Sequence, residues 1–381
     1  MKIALVTDTF RTGGGLEHLY QVARAMRGVS FAIFARGGEA AGRFSELENV
    51  RVFPEGCRLG ELLRVRPDLI HFHHLKPLLD FCGRPFSRDR PFSRGRIPVV
   101  FTAHGLHVRK YGFLRGWSVG ARRTCRSWLE KALYRRVDAV VAVSREDMAF
   151  LRGEYGLSRT VHIPNGVDPQ AFRDPSFSRQ VVRQALGLPV RSRIFLTVAR
   201  FDFQKGYDVL VRAIGSGKEF FRKNEVLFVF VGEGRETGAI RRLAARAGVE
   251  GQIRFLGERQ DVYAIMKASD LFILPSRWEG LPIALIEATM CGLPIVASKT
   301  CGNREFVQDT GAGFLFENEN PAALARVLSE ILDNWQAERA PDSGPVPRAL
   351  CGYDIADTCA KLNALYAGLI SASRARQVPP C

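Results

Sequence analysis

The chain has 381 residues, 46% of them hydrophobic and 25% charged, and a formal net charge of +16. That length suits two domains, each large enough to bury its own core. No apolar run approaches the roughly 18 residues of a membrane-spanning helix, and the opening MKIALVTDTF has no cleavable signal pattern, so a cytoplasmic protein is expected.

In chain order, KIALVTD (2–8) predicts a buried strand, 9–15 a loop with three glycines, and 16–27 a helix with apolar residues at Leu16, Leu19, Val22, Ala23 and Met26. DLIHFHH (68–74), PVVFTAH (98–104) and DAVVAVS (138–144) predict further strands, each ending in a polar residue. The turn-rich IPNGVDPQAF (163–172) then interrupts the rhythm. A second set follows: IFLTVAR (194–200), VLFVFVG (226–232), IRFLG (253–257), DLFILPS (270–276) and PIVAS (294–298). Helical spacing over 353–371 precedes an Arg/Pro tail expected to fray.

Uniformly apolar strands alternating with helices predict an α/β protein with parallel sheets covered on both faces. The expected organisation is two Rossmann-like, doubly wound domains, 1–185 and 186–345, then a helix and tail over 346–381 able to return to the first domain. Ligands of such sheets bind at the carboxyl ends of the strands, so two facing edges are expected to form one cleft. The eight cysteines include no C-x-x-C pair, which argues for reduced, packed thiols and against a zinc or redox site.

The segment most charged with chemistry is RWEGLPIALIEATMCGLPIVAS (277–298). Glu279 ends a strand-to-helix loop, Pro282 suits the first turn of the helix that follows, and Glu287 lies on that helix. The free N–H groups of Gly280, Leu281 and Ile283 and the helix dipole suit a phosphate. The two flanking carboxylates are acceptor-only groups suited to sugar hydroxyls. A lone E-x7-E is more often a pair of surface glutamates; the Gly-Leu-Pro and strand context around this one argues otherwise. Arg200 ends a strand, and Lys205 precedes Gly206 a few residues on. Two cations there can neutralise charge growing on a departing diphosphate. Three histidines, His71, His73 and His74, with His71 and His73 on one strand face, invite a metal; no acidic or Cys ligand accompanies them, and no D-x-D motif ends a strand.

With these motifs in order, the sequence resembles glycosyltransferase family 4, of the GT-B fold. The resemblance rests on Gly13-Gly14-Gly15-Leu16-Glu17, DLIHFHH, TAHG, VAVSRED, IPNGVD, VARFDFQKGYDVL, VGEGRE, IRFLG and the E-x7-E segment, and it covers nearly the whole chain. It implies a retaining hexosyltransferase that uses a nucleoside-diphosphate sugar, a UDP-sugar or a GDP-sugar, without an obligatory metal. It gives Arg200 and Lys205 the diphosphate, Glu287 the ribose and Glu279 the donor sugar. The backbone of Gly14 and Gly15, Gly234, and Gly280 to Ile283 would approach the donor, and that around Phe255, Leu256 and Glu258 the base. His104 would face the donor sugar; Glu17, His73, Arg109 and Lys110 lie on the acceptor side. Ala199 and Cys301-Gly302-Asn303-Arg304-Glu305 depart from the family pattern, and the roles of that second loop are not carried over.

Most of the positive charge lies in the first half, most densely over 81–136, where only Asp89 and Glu130 oppose it. Arg and Lys interleaved with Tyr111, Phe113, Leu114, Trp117 and Trp128 fit a surface resting on an anionic membrane, the exposed part being 109–126, while Trp128 to Val137 reads as a helix packed on its sheet. The expected acceptor is a glycan or a lipid-linked saccharide of the cell envelope, lipopolysaccharide or exopolysaccharide. A nucleotide-sugar epimerase of the same fold is the nearest alternative, disfavoured by the E-x7-E, Arg200 and Lys205 set. A nucleic-acid partner rests on charge alone, with no recognition motif. The loop 9–15 is not the G-x-G-x-x-G of a dehydrogenase.

Overall fold

A computed structural model describes residues 1–11, 13–82, 97–114, 118–172, 177–335, 350 and 352–376. Chain contacts divide it into two compact units, Met1–Val167 with Gly352–Cys381, and Asp168–Cys351.

The first unit is built on a seven-stranded sheet in the order β3-β2-β1-β4-β5-β6-β7, every pairing parallel. The strands are β1 (Lys2–Thr9), β2 (Ser30–Arg36), β3 (Val50–Phe53), β4 (Leu69–Phe72), β5 (Val99–Ala103), β6 (Ala139–Ala142) and β7 (Thr160–His162). The alternation of side chains along each strand feeds two cores. Ile3, Leu5, Phe31, Ile33 and Leu69 face α1 (Gly14–Ala25) and the C-terminal helix (Ile355–Ala375), which contributes Leu362, Tyr366 and Ile370. Ala4, Val6, Phe34, Ile70, Phe72 and Phe101 face the other way, onto Leu133 and Tyr134 of α2 (Val119–Tyr134) and Leu151 of α3 (Arg145–Gly153). Ser144 caps α3, its hydroxyl accepting from the Asp147 N–H at 3.2 Å.

The second unit carries a six-stranded parallel sheet in the order β10-β9-β8-β11-β12-β13. Its strands are β8 (Arg193–Val198), β9 (Val226–Val231), β10 (Ile253–Gly257), β11 (Leu271–Leu274), β12 (Ile295–Ser298) and β13 (Gly313–Phe316). Its principal helices here are α4 (Arg179–Ala185), α5 (Tyr207–Ser216), α6 (Ile283–Met290) and α7 (Cys301–Thr310).

Two details differ from the sequence expectations. The first unit ends at Val167, ahead of the expected 185/186 boundary, because α4 is tied into the second unit. The Arg183 guanidinium, 3% exposed, donates to Asp270 at 2.7 Å and to the Ala268, Val190 and Ser192 carbonyls, and Arg179 bonds the same carboxylate. Pro282 is the residue before α6, extended at φ −74°, ψ 124°, and stands outside the first turn.

Asp270 also accepts the Ile194 N–H at 2.7 Å, so it joins α4 to β8. Replacing Asp270 with Ala leaves a buried guanidinium without its counter-charge, which should cost about 3–5 kcal/mol. The expected result in urea is a lower unfolding midpoint for Asp270→Ala; a midpoint equal to the parent's would contradict this account.

Candidate functional site

Parallel strands deliver their carboxyl ends to one edge, and in each unit that edge gathers the polar residues. In the first unit β1, β4 and β5 are adjacent. Their ends bring the Gly13–Gly15 loop, His73 and His104 together. A Cβ on Gly15 would lie 3.6 Å from His104 Cδ2 and 3.7 Å from His74 Cε1. His73 Nδ1 and His104 Nε2 share a hydrogen bond of 3.0 Å. His18, on α1, stands edge-on to His104 with ring centroids 5.2 Å apart. His71 lies below, 4.1 Å from His73 between ring centroids, and is fixed by Thr102 Oγ1 at 2.7 Å and the Tyr366 hydroxyl at 2.6 Å. His74 Nδ1 shares a hydrogen bond with Thr7 Oγ1 at 2.7 Å. Among the described residues no group of three or more His, Cys, Asp or Glu side chains is arranged to hold a metal ion.

Burial keeps this histidine group neutral. It pulls His18 down to about 4 and His71 to about 3, and holds His73 and His104 well below their ordinary value. A neutral imidazole both donates and accepts, which suits a sugar hydroxyl. Glu17 accepts from Gln21 at 2.9 Å and from Arg43 at 3.0 Å, and Arg43 lies over the Tyr20 ring.

Arg109 does not stand open to a ligand. It pairs with Asp147 at 2.9 Å and with Glu146 at 3.4 Å, and lies over the Phe150 ring. Asp147 is fully buried, and burial pushes its carboxyl up to about 6. The guanidinium compensates a buried acid, so its charge is spent inside the fold; the adjacent Lys110 is exposed. Trp128, expected to pack on the sheet, is 70% exposed, and Arg122, Arg123 and Cys125 of α2 are exposed too. Leu133 and Tyr134 do the packing instead. Arg115 and Trp117 lie outside the described residues.

In the second unit β8 and β11 are adjacent, and the loops that leave them carry the charges. Lys205, in a 3-10 turn (Phe203–Lys205), donates to Glu279 Oε1 at 2.6 Å. Gln204 reaches the other oxygen, Oε2, at 3.4 Å and the Trp278 carbonyl at 2.9 Å. Glu279 is buried, whereas Arg200 is open, its side chain 61% exposed and 3.3 Å from Asp202. Gly206 turns the chain at φ +66°, and a Cβ there would overlap the Pro275 carbonyl oxygen. Gly280, Leu281 and Pro282 are buried and run into α6, on which Glu287 is half-buried. Gly302, in the first turn of α7, is seated on the Gly280 carbonyl with no room for a Cβ. Gly234 presses on the Phe201 carbonyl in the same way. The Phe255 ring is covered by Arg241 at 4.1 Å, leaving Leu256 half-buried beside it at the end of β10.

Chemically, this edge offers an exposed cation in Arg200, a cation balanced by a buried carboxylate in Lys205, and the N-terminal end of α6. That set suits a dianionic group bonded to a polyhydroxy one. Residues 12–171 match the family model Glycosyltransferase Family 4, and residues 178–343 match Glycosyl transferases group 1. The chain belongs to this glycosyltransferase family. It is therefore a GT-B glycosyltransferase of a retaining family that moves sugars from nucleotide sugars, which removes the epimerase alternative.

Among its relatives, the UDP-Gal:alpha-D-GlcNAc-diphosphoundecaprenol alpha-1,3-galactosyltransferase of Escherichia coli is 28% identical over 319 residues, 81% of this chain and 77% of that one. A D-inositol 3-phosphate glycosyltransferase of Xylanimonas cellulosilytica is 34% identical over 252 residues, 63% of this chain and 59% of that one. Anabaena Alr3699/HepE in complex with UDP-glucose has the same fold, with a TM-score of 0.77 at 23% identity over 97% of this chain and 100% of that one. WaaG, a glycosyltransferase involved in lipopolysaccharide biosynthesis, superposes with a TM-score of 0.69 at 20% identity over 98% of each chain.

Three groups at the site escape a sequence search. Gln204 and Arg277 lie inside the quoted motifs without a role read from them, and His18 looks like an ordinary helix residue until α1 docks on the strand ends.

The neutral histidines make stability pH-dependent. An unfolded histidine takes a proton near pH 6.5, whereas His18 and His71 resist it down to about 4 and about 3. Between these limits the unfolded chain binds more protons, so stability is greatest above pH 6.5 and falls as pH drops. At pH 5 each histidine should cost on the order of 2 kcal/mol. Urea midpoints at pH 7.5 and 5.0 check this: the parent should lose stability at pH 5.0, and His18→Gln should lose less.

Proposed function

We propose that this glycosyltransferase takes its sugar from a UDP-sugar, with a GDP-sugar as the alternative donor, and delivers it to a hydroxyl of a lipid-linked or envelope glycan acceptor. The observation that carries the donor half is the Lys205–Glu279 pair, with Arg200, at the end of a sheet edge beside the α6 N-terminus. An ammonium has three N–H donors, so Lys205 can keep Glu279 and still bond a phosphate oxygen. Arg200 and Lys205 then neutralise the charge that grows on the leaving diphosphate, Glu279 holds the donor sugar's hydroxyls and Glu287 the ribose. In the first unit His104, neutral and steadied by His73, can donate to or accept from a sugar hydroxyl. Gly14 and Gly15 let the first-unit loop come close to a ligand, and Glu17 and Lys110 serve the acceptor.

Retention follows a same-face course. The anomeric carbon–phosphate oxygen bond breaks as the acceptor oxygen bonds the same face of that carbon, and the acceptor proton passes to the leaving phosphate. The named relatives support the nucleotide and the acceptor class: one uses UDP-Gal on a diphosphoundecaprenol-linked sugar, and another, from Corynebacterium glutamicum, is named as GDP-mannose-dependent and acts on a phosphatidylinositol mannoside.

A peripheral position on an anionic membrane suits such an acceptor. No described helix is long and apolar enough to cross a membrane. Instead Trp128, Arg122 and Arg123 are all exposed on α2, an indole and two cations of the kind that settle at a lipid headgroup layer.

Two measurements test the proposal. With a panel of UDP- and GDP-sugars scored by slow hydrolysis, Arg200→Ala and Lys205→Ala should each lower turnover about a hundredfold with a smaller effect on donor binding, and Glu287→Ala should weaken binding of the free nucleoside diphosphate. Full turnover in both cation variants would overturn the donor site. In vesicle sedimentation, replacing Arg122 and Arg123 with Ser and Trp128 with Ala should reduce binding to anionic vesicles at least tenfold, at about 1 kcal/mol per cation, with donor hydrolysis unchanged. Equal binding of parent and variant would turn the basic face into a solubilising surface.

A further inference from the structure

Arg277 has no role in the donor site just proposed, yet it is one of the most heavily bonded side chains of the second unit. Its guanidinium is 5% exposed. It makes a fork to the Asp208 carboxylate of α5, two bonds of 2.9 Å, and bonds Glu319 at 2.8 Å and the Phe203 carbonyl at 2.7 Å. It also lies flat over the Phe203 ring, 4.0 Å from its centroid. The backbone joins in: the Arg277 N–H donates to the Gln204 carbonyl at 2.7 Å, and the Arg277 carbonyl accepts from Asn318 Nδ2 at 2.8 Å.

These partners belong to three loops at one sheet edge. Phe203 and Gln204 follow β8, Arg277 follows β11, and Asn318 and Glu319 follow β13. Glu319 reaches Arg277 from φ +56°, a left-handed backbone that a residue with a side chain adopts at a cost. That conformation persists because the surrounding bonds fix it. Gln204 completes the join, its amide bonding the Trp278 carbonyl and Glu279 Oε2. Lys205 is next to Gln204 in the chain, and Glu279 is two residues beyond Arg277. The Arg277 bonds to the Phe203 and Gln204 carbonyls therefore clamp the loop that bears the ammonium to the loop that bears the carboxylate, and the fork ties both to the first turn of α5.

We propose that Arg277 and Gln204 are positioning residues for the glycosyl transfer, setting the Lys205–Glu279 pair in the geometry that meets the diphosphate and the donor sugar together. The inference rests on the assignment of Lys205 and Glu279 to the donor. Only a planar guanidinium satisfies all four acceptors at once; lysine keeps the charge but loses the fork. A small displacement of catalytic groups costs rate far more than affinity, so the signature is a fall in kcat with nucleotide binding preserved.

The test uses the full chain, the sugar nucleotide that the UDP- and GDP-sugar panel selects, and UDP or GDP for binding. Arg277→Lys should lower kcat at least tenfold, and Gln204→Ala about three- to tenfold. Both should bind the free nucleoside diphosphate within about threefold of the parent. Gln204 is half-buried on a short turn, so its variant decides the matter if Arg277→Lys fails to fold; Arg277→Gln should be slower than Arg277→Lys. Parent-like kcat in Gln204→Ala and in any folded Arg277→Lys overturns the inference, as does a loss of nucleotide affinity matching the loss of kcat. Glu279→Ala separates the two levels. If it is inactive while the positioning variants behave as the parent, only the positioning role fails. If Glu279→Ala keeps full turnover, the donor assignment fails and the positioning role with it.

Discussion

A parallel sheet sends every strand out through the same edge, and in both units every pair of described strands is parallel. The backbone groups within each sheet are used up by the ladders, so the groups free to meet a ligand are those on the loops and helix termini at that edge. Strand order then decides which loops become neighbours. β8 and β11 are adjacent though far apart in sequence, and this brings Lys205 within 2.6 Å of Glu279. β1, β4 and β5 are adjacent, and this brings the Gly13–Gly15 loop against His104 and His74.

The two edges differ in electrostatic character. In the first unit the polar groups are imidazoles kept neutral by burial and linked by hydrogen bonds of 2.6–3.0 Å to one another, to Thr102 and to Tyr366. In the second they are formal charges, balanced where they are buried and open where they are exposed. Glu279 is buried with Lys205, Arg277 with Asp208 and Glu319, and Arg200 stands in solvent. A buried ion is tolerable only with a partner, so the charged edge has to be a network. Glycine at 206, 234 and 302 is what lets its loops close on one another, since a side chain at any of them would overlap a neighbouring carbonyl.

The basic surplus of the first half is likewise not one population. Arg109 is consumed by Asp147, and Arg126 by Glu130, a carboxylate with no exposure. Arg122 and Arg123 remain exposed, as does Trp128. Counting charges along the chain treats these cations as equal, whereas their surroundings separate the ones that hold the fold from the ones available to a surface.

The sequence alone determined the class of architecture and most of the motif positions. Uniformly apolar strands alternating with helices, glycines in tight loops and E-x7-E beside Gly-Leu-Pro are local patterns, and local patterns survive in one dimension. Edge and short strands such as Val50–Phe53, Thr160–His162 and Gly313–Phe316 carry too few residues for a period to register. The same limit hid the end of the first unit at Val167, which depends on Arg183 meeting Asp270. Only the tertiary structure decided that Arg109 is paired with the buried Asp147, that Trp128 faces out, that His18 joins His73 and His104, and that Arg277 holds three loops. Each of these is a statement about partners distant in sequence. A side chain's charge and size are written in its residue type, but whether that charge is balanced depends on which strand ends the fold makes adjacent.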